Sequence, residues 1–200
     1  MLRIATIGTS MITDDFIQVV NANDQATFVG TLSRDADRGA AFTAEHGGER
    51  NFTALDELAS ADDVDAVYIG SPNALHHEQA LACIAGGKHV IVEKPSAPPK
   101  RRHWKSSALP RQQASWPSRP CARFTTPPST PLRTALGEIA PIRRASLRFG
   151  KYSSRYNEIL AGRATNIFDC NMASGSLMDI GVYAVEPMVE IFGMPLVSPA

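Results

Sequence analysis

The 200-residue sequence carries no excess of charge of either sign. Its 20 lysine and arginine residues balance 20 aspartate and glutamate residues, so the formal net charge at pH 7 is zero. Proteins that hold nucleic acid or an anionic membrane through their overall charge carry a basic excess. We therefore expect neither a nucleic acid nor a membrane as a partner.

Cysteine and long apolar runs are also scarce. The three cysteines, Cys83, Cys121 and Cys170, lie far apart in no CxxC spacing, which indicates neither a disulfide framework nor a zinc site. No apolar run approaches the roughly 18 residues of a membrane-spanning helix. The N-terminus lacks the pattern of a secretory signal. We expect a cytoplasmic protein without a metal ion.

The first 95 residues contain an alternation of strand and helix patterns. Short apolar runs predict strands at 2–7, 26–32, 64–70 and 89–95. Helical patterns predict helices at 14–21, 35–47, 53–60 and 74–87, the third with Thr53 as its cap. Parallel strands need crossover connections of this kind, so we predict an α/β fold with a Rossmann-like, doubly wound parallel sheet.

Ligands of such a sheet bind beyond the carboxyl ends of its strands, so the candidate binding residues are those that follow each apolar run. They are Gly8, Thr9, Ser10, Met11 and Ile12, then Ser33 and Arg34, then Ser71, Pro72 and Asn73, and finally Glu93 and Lys94. Four segments that are far apart in the sequence are thus predicted to meet at one edge of the sheet.

The first of these loops, GTSMIT, partly matches the dinucleotide fingerprint G-x-G-x-x-G. Gly8 stands at the first glycine position, while Ser10 and Thr13 replace the other two glycines. The Ser10 hydroxyl can donate to a phosphate, and the exposed amides of a helix start form an anion site. The alternative interpretation is an ordinary strand-to-helix turn.

The second loop bears on the choice of cofactor. Ser33 and Arg34 stand where an NAD-dependent enzyme usually has a carboxylate for the ribose diol. A hydroxyl and a guanidinium can instead bind a 2′-phosphate through charge-assisted hydrogen bonds. We therefore predict NADP as the cofactor, with NAD as the alternative. The competing interpretation of Arg34 is a solvated surface charge.

Residues 71–95, SPNALHHEQALACIAGGKHVIVEKP, resemble one family. A small residue before Pro-Asn, a following His, a helix, and then Gly-Lys-His-Val and Glu-Lys-Pro form the pattern of the Gfo/Idh/MocA oxidoreductases. The resemblance implies a two-domain enzyme that transfers a hydride between NADP or NAD and a hydroxyl or carbonyl carbon. The substrate implied is a small sugar-like molecule: a sugar, a polyol or a dihydrodiol.

The resemblance also implies roles for residues of this stretch. Lys94 would be the catalytic or substrate-orienting lysine, and Glu93 would lie near the nicotinamide ribose. Pro72 and Asn73 would lie close to the cofactor, and His76 would line the cleft unless it is a helix-surface residue. An ammonium group suits this chemistry because it stabilises a developing alkoxide and can relay a proton. The alternative for Lys94 is a solvated lysine at a strand end.

Residues 138–193 resume the resemblance and indicate a partial α+β second domain. A strand is predicted near the start, with one apolar face formed by Ile142, Ala145, Leu147 and Phe149. Asp179 and Tyr183 are four residues apart, so on one helix they share a face and can both point at Lys94. By the resemblance they complete the catalytic group, with the Tyr183 phenol as a proton donor. The alternative for Tyr183 is an aromatic residue at a domain boundary.

Between these matches, residues 96–135 fit no regular element. The segment has no acidic residue, and its prolines exclude a long helix or a central strand. One account is a basic linker that recruits an acidic partner, which carries the alternative function of a non-catalytic nucleotide-binding or interaction protein. The other account is translation in a shifted reading frame, which would make the chain an inactive gene fragment. The second is favoured because the family pattern stops after Pro95 and returns near Leu136.

We therefore predict three parts in the chain: an NAD(P)-binding domain at 1–95, an irregular proline- and arginine-rich segment at 96–135, and a second domain at 136–200. Because members of the family continue further, we expect the second domain to be truncated and its substrate cleft incomplete. The resemblance also implies a homodimer formed through the sheet of that domain.

Overall fold

The computed structural model describes residues 1–94, 129–139, 141–150, 152–153, 155–163 and 169–194. The chain divides into two compact units, Met1–Ser118 and Arg119–Ala200. Most of the proline-rich segment, residues 96–128, lies outside the described residues. Both accounts of that segment therefore stay hypotheses.

The first unit is built on a five-stranded parallel sheet of order β3-β2-β1-β4-β5. The strands are β1 (Leu2–Ile7), β2 (Ala26–Leu32), β3 (Arg50–Phe52), β4 (Ala66–Ile69) and β5 (His89–Val92). The strand order reverses between β1 and β4, which confirms the predicted doubly wound fold. The sequence does not predict β3, because three residues of mixed character show no alternation.

Four helices connect these strands. They are α1 (Met11–Asn21), α2 (Ala36–Glu45), α3 (Leu55–Ser60) and α4 (His76–Ala85), the last preceded by a 3-10 turn at Asn73–Leu75. The predicted start of α1 at residue 14 was wrong, because Ser10 adopts an extended conformation and acts as the N-cap. The predicted cap of α3 was also wrong. Ala54 is the N-cap, and the Thr53 backbone N–H donates to Glu57 at 3.3 Å.

Both faces of the sheet are buried. One face, which includes Ile7 and Ile69, packs against residues of α3 and α4. The other face, which includes Ile4 and Ala66, packs against residues of α1 and, at its margin, α2. Strands that are buried on both faces have near-continuous apolar sequences, and this is the pattern from which four of the five strands were predicted.

The described part of the second unit consists of helices and irregular segments. The helices are α5 (Ser129–Glu138), α6 (Tyr156–Leu160), α7 (Ser176–Asp179) and α8 (Val182–Phe192), with a 3-10 turn at Cys170–Met172. The strand predicted from Ile142 to Phe149 was wrong, since residues 141–150 form neither helix nor strand. α5 occupies the end of the proline-rich segment, and Pro131 fits its first turn, where a missing N–H breaks no helical hydrogen bond.

A partly buried ion pair ties α1 to the end of α2. His46 places Nε2 2.6 Å from Asp14 Oδ1 and Nδ1 2.8 Å from the Phe42 carbonyl oxygen. Both neighbours accept hydrogen bonds, so the protonated imidazole satisfies both contacts. Burial lowers the pKa of His46, but the hydrogen bonds to Asp14 and Phe42 outweigh burial and raise the pKa overall. The hydrogen bond from His46 lowers the pKa of Asp14.

This pair predicts a pH window for stability. The raised pKa of His46 contributes stability below the reference value of 6.5 and loses it as the pH rises through the folded value. The lowered pKa of Asp14 contributes stability above 3.8 and loses it as the pH falls through the folded value. We expect Asp14→Asn to lower the urea midpoint most between about pH 4 and 6.5 and less toward about pH 9, with the exposed Asp24→Asn as control. A pH-independent effect of Asp14→Asn would contradict this assignment.

Candidate functional site

Backbone hydrogen bonds hold the four predicted loops together at the carboxyl edge of the sheet. The Gly8 N–H donates to the Leu32 carbonyl at 3.0 Å, which joins the ends of β1 and β2. The Gly70 N–H donates to Ile7 and the Glu93 N–H donates to Ile69, each at 3.0 Å, which joins β1, β4 and β5. The residues predicted from four separate segments therefore share one edge.

Gly8 makes the first turn possible. Its φ of +103° lies outside the conformations that residues with a side chain readily adopt. A Cβ atom on Gly8 would lie 3.0 Å from the Gly70 carbonyl oxygen, so the turn also brings the β1 loop against the β4 loop. A glycine at this position therefore serves the tight turn between β1 and α1.

The two substituted fingerprint positions, Ser10 and Thr13, face each other with their hydroxyl oxygens 3.0 Å apart. Thr13 is fully buried, and a Cβ atom on Gly70 would lie 2.6 Å from its Oγ1. The close approach of helix to strand that the third fingerprint glycine normally allows is supplied here by Gly70. Met11 and Ile12 follow at the helix start, where their N–H groups have no helical carbonyl to bond and can bind an anion.

The second loop contains a residue that the sequence did not single out. Ser33 and Arg34 follow β2, as predicted, with Ser33 partly buried and Arg34 exposed. One turn further, the Arg38 guanidinium Nη2 donates to the Thr9 carbonyl oxygen at 3.1 Å and so reaches the first loop. The Asp35 carboxylate accepts the Arg38 N–H at 3.0 Å as the cap of α2. Recognising Asp35 as a cap would have located Arg38 in the first turn, at the same edge of the sheet.

The third loop is held by a contact with the buried side chain of His76. This residue is 1 % exposed, and its Nε2 lies 2.7 Å from the Ser71 carbonyl oxygen. The Ser71 hydroxyl donates to Gln79 of α4 at 2.5 Å. Pro72 and Asn73 follow, with Asn73 starting the 3-10 turn. His76 thus positions this loop, and its direct contact with a cofactor stays a prediction.

The fourth loop presents Glu93 and Lys94. The Glu93 carboxylate accepts the Tyr68 hydroxyl at 2.7 Å and the Lys94 backbone N–H at 3.1 Å. Burial raises the pKa of Tyr68, and Glu93 raises it further, so the phenol stays protonated and remains a donor. The sequence did not indicate Tyr68, which lies inside the apolar run of β4. A buried tyrosine needs a partner for its hydroxyl, and that requirement is the signal that could have found it.

Asp179 and Tyr183 lie on different helices of the second unit. Asp179 is the last residue of α7, and Tyr183 lies in the first turn of α8. The single helix predicted through both residues was wrong, because the chain turns at Ile180 and Gly181 between them. The Tyr183 ring packs on Phe149 with centroids 4.4 Å apart. The predicted approach of both residues to Lys94 joins residues of different units and stays a prediction.

The described part of the chain offers neither a metal-binding cluster nor a membrane-spanning helix. No group of three or more His, Cys, Asp or Glu side chains there could hold a metal ion. No helix in that part has the length and apolar character needed to cross a bilayer.

Comparison with protein families identifies the chain. Residues 2–106, just over half of the chain, match the oxidoreductase family with an NAD-binding Rossmann fold, Gfo/Idh/MocA. The chain belongs to this family. The resemblance drawn from residues 71–95 is therefore confirmed, as is the prediction of a nicotinamide dinucleotide-binding fold.

Two named relatives match nearly the whole chain, and a solved structure matches about half of it. The scyllo-inositol 2-dehydrogenase (NADP(+)) of Bacillus subtilis is 37% identical over 195 residues, which are 98% of this chain and 60% of that protein. The trans-1,2-dihydrobenzene-1,2-diol dehydrogenase of Homo sapiens is 31% identical over 96% of this chain and 56% of its own length. A 3-ketoreductase from Actinomadura kijaniata, solved with NADP, is 34% identical over 48% of this chain and 31% of its own, with a TM-score of 0.46. The chain thus spans about three fifths of the length of the curated relatives it matches.

Proposed function

We propose that this protein is an NADP-dependent oxidoreductase that transfers a hydride between the nicotinamide and a hydroxyl or carbonyl carbon of a sugar, polyol or dihydrodiol. One observation carries the proposal. Lys94 lies on the same edge of the sheet as the Gly8 turn and the Ser33 loop, in a chain of the Gfo/Idh/MocA family. This arrangement supports a dinucleotide site at the loops after β1 and β2 and a site for the reacting oxygen at the loop after β5, with β4 between them.

The residues of this edge fit a dinucleotide. A Cβ atom on Gly8 would crowd the Gly70 carbonyl oxygen at 3.0 Å, so glycine allows the tight turn that brings the start of α1 to this edge. The amides of Met11 and Ile12 and the Ser10 hydroxyl are the donors that would hold the phosphates. Ser33, Arg34 and Arg38 are the donors that would hold a 2′-phosphate. This set of donors favours NADP over NAD.

The nicotinamide, when bound, accepts or supplies the hydride. The Lys94 ammonium stabilises the negative charge that develops on the substrate oxygen and relays a proton to or from it. Glu93 holds the Lys94 backbone through the N–H contact at 3.1 Å. Asp179 and Tyr183 are proposed to complete the catalytic group, with the Tyr183 phenol as the second proton donor.

The named relatives support the substrate class. One acts on scyllo-inositol and another on trans-1,2-dihydrobenzene-1,2-diol, and both substrates carry neighbouring ring hydroxyls. We extend this class to the present chain. The homodimer stays a proposal that rests on the family resemblance, and the cytoplasmic location stays a proposal that rests on the sequence.

The test is a titration followed by turnover measurements. We expect the purified chain to bind NADPH at least about tenfold more tightly than NADH, followed by fluorescence of the reduced cofactor. With NADP, scyllo-inositol, myo-inositol and trans-1,2-dihydrobenzene-1,2-diol are the substrates to test for reduction of the cofactor. Failure to bind either dinucleotide would overturn the proposal. Binding without turnover of any substrate would favour the non-catalytic alternative.

Arg34, after β2, and Arg38, in the first turn of α2, are expected to affect the binding of NADPH more than the binding of NADH. We expect Arg34→Ala and Arg38→Ala each to weaken NADPH binding about tenfold or more, since a hydrogen bond to a charged group contributes about 1.5–3 kcal/mol. NADH lacks the 2′-phosphate, so its binding is expected to change less than about threefold. Arg148→Ala, at an exposed position of the second unit, is the control. Equal losses for NADPH and NADH would contradict the assignment.

A further inference from the structure

We propose that Tyr68 is a positioning residue for Lys94, acting through the Glu93 carboxylate. The proposal rests on the proposed function only for the chemical role of Lys94. The linkage itself is geometric: the Tyr68 hydroxyl bonds one oxygen of Glu93, and the other oxygen bonds the Lys94 backbone N–H. Tyr68 lies outside the sequence motif around Lys94, because helix α4 and strand β5 separate the two residues in the sequence.

The strand register explains why Tyr68 reaches Glu93. β4 and β5 are parallel neighbours in which Tyr68 lies opposite Ile91, two residues before Glu93. Side chains two residues apart point to the same face of a sheet, so Ile91 and Glu93 share the face of Tyr68. Glu93 follows the last residue of β5, and its N–H still bonds the Ile69 carbonyl of β4 at 3.0 Å. A phenol is long enough to reach that carboxylate from its place on β4.

The Tyr68 ring is held tightly enough to act as a fixed support. It is 3 % exposed and stacks on Phe16 of α1, with centroids 3.9 Å apart and an angle of 8° between the planes. A Cβ atom on Gly70 would lie 3.1 Å from its Cε1, so the glycine leaves space that the ring edge uses. The ring is thus confined by α1 and by the start of the β4 loop. Because the ring is confined, its hydroxyl is held within hydrogen-bond distance of Glu93.

The same contacts connect the two loops that frame the predicted cofactor site. Gly70 accommodates the Thr13 hydroxyl and the Tyr68 ring, with a Cβ atom there 2.6 Å from the first and 3.1 Å from the second. Thr13 lies 3.0 Å from Ser10 at the start of α1. The Tyr68 ring therefore lies at Gly70, beside the residue Thr13 of the first loop, while its hydroxyl bonds Glu93 of the fourth loop.

The substitution Tyr68→Phe removes the hydroxyl and keeps the ring on Phe16. Without its donor, the Glu93 carboxylate is expected to turn toward water and release the Lys94 N–H, because a hydrogen bond to a charged group is worth about tenfold or more in an equilibrium. The direct measurement is amide hydrogen exchange of the whole chain, resolved at Lys94. We expect exchange at Lys94 to accelerate about tenfold, while amides of β1 and β4 change less than about twofold.

Two further variants make the measurement decisive. Tyr152→Phe makes the same change at a 74 % exposed tyrosine and is expected to leave Lys94 unchanged. Glu93→Gln keeps the phenol and its stack but leaves a single acceptor oxygen for two donors, so it is expected to accelerate exchange at Lys94 as well. If Tyr68→Phe fails to fold, Glu93→Gln decides the question. Unchanged exchange at Lys94, or equal acceleration of every strand amide, would overturn the proposal.

Turnover separates this inference from the proposed function. If the wild-type chain transfers hydride, Tyr68→Phe is expected to lower kcat about tenfold with the KM for NADPH within about threefold, because the lysine is displaced and the cofactor loops are not. An unchanged kcat in an active chain would also overturn the proposal. If the wild-type chain binds no dinucleotide, the proposed function fails, and the exchange rate at Lys94 still decides the role of Tyr68.

Discussion

Lys94→Met is expected to lower kcat for hydride transfer by about three orders of magnitude and to leave NADPH binding within a few fold. Methionine keeps the length and apolar stem of lysine and removes the ammonium. The substrate oxygen then has no cation to stabilise its charge in the transition state. The turn that carries the side chain is held by the Lys94 backbone N–H at Glu93, which the substitution leaves in place. Stopped-flow measurement of cofactor oxidation and fluorescence titration test the two parts of this prediction.

A second lysine provides the matched control. Lys88 precedes β5 at the opposite edge of the sheet, is 8 % exposed and donates through Nζ to the Ala61 carbonyl at 2.5 Å. Lys88→Met removes the shorter of the two hydrogen bonds to that carbonyl and leaves only the Val64 N–H at 3.3 Å, so we expect it to lower the free energy of unfolding and to spare kcat of the folded enzyme. Loss of kcat in Lys88→Met but not in Lys94→Met would refute the assignment of the catalytic amine.

The sequence predicted the sheet well where burial dictates residue type. The bounds of β1 and β2 agree with the predicted runs, since strands covered by helices on both faces must be apolar throughout. The same logic could not detect β3. Arg50–Phe52 is an edge strand of three residues in which only Phe52 is buried, so its existence depends on pairing with β2 and leaves no pattern in the sequence.

In the candidate site, too, features set by the topology of the sheet could be predicted, while features set by individual side-chain contacts were missed. The four loops could be predicted because parallel strands place all their carboxyl ends on one edge. Arg38 and Tyr68 were not predicted, because each reaches the site through a contact with a residue that is distant in the sequence. Arg38 bonds Thr9 from a helix that looks solvated, and Tyr68 bonds Glu93 from a strand that looks purely structural.

The second unit departs furthest from the predictions, for an identifiable reason. The predicted shared face of Asp179 and Tyr183 assumed an unbroken helix. A Cβ atom on Gly181 would lie 2.3 Å from the Leu177 carbonyl oxygen, so the chain packs closely on itself between α7 and α8. Spacing of four residues implies a common face only when the helical hydrogen bonds continue between them. The Tyr183 N–H bonds Ile180 instead of Asp179, so the condition fails.

Gly30→Ala is expected to destabilise the first unit by about 3 kcal/mol or more, the largest stability effect of a single methyl group that we predict. Gly30 lies on β2 opposite Arg50 of β3. A Cβ atom at Gly30 would lie 1.8 Å from the Arg50 carbonyl oxygen, which is backbone and cannot rotate away. The edge strand must therefore separate from β2, and with it Phe52, which is fully buried in the core.

The matched substitution Gly47→Ala distinguishes this clash from backbone strain. Gly47 has a φ of +77° and nothing within 4 Å of an added Cβ atom, so alanine there carries only a conformational cost of about 1–2 kcal/mol. Urea unfolding measures the free energy of unfolding that each variant loses. Similar losses for Gly30→Ala and Gly47→Ala would contradict the clash. Gly30→Ala is also expected to weaken NADPH binding. The Ser33 N–H bonds the Phe52 carbonyl at 3.3 Å, so displacement of β3 removes the backbone support of the loop proposed to recognise the 2′-phosphate.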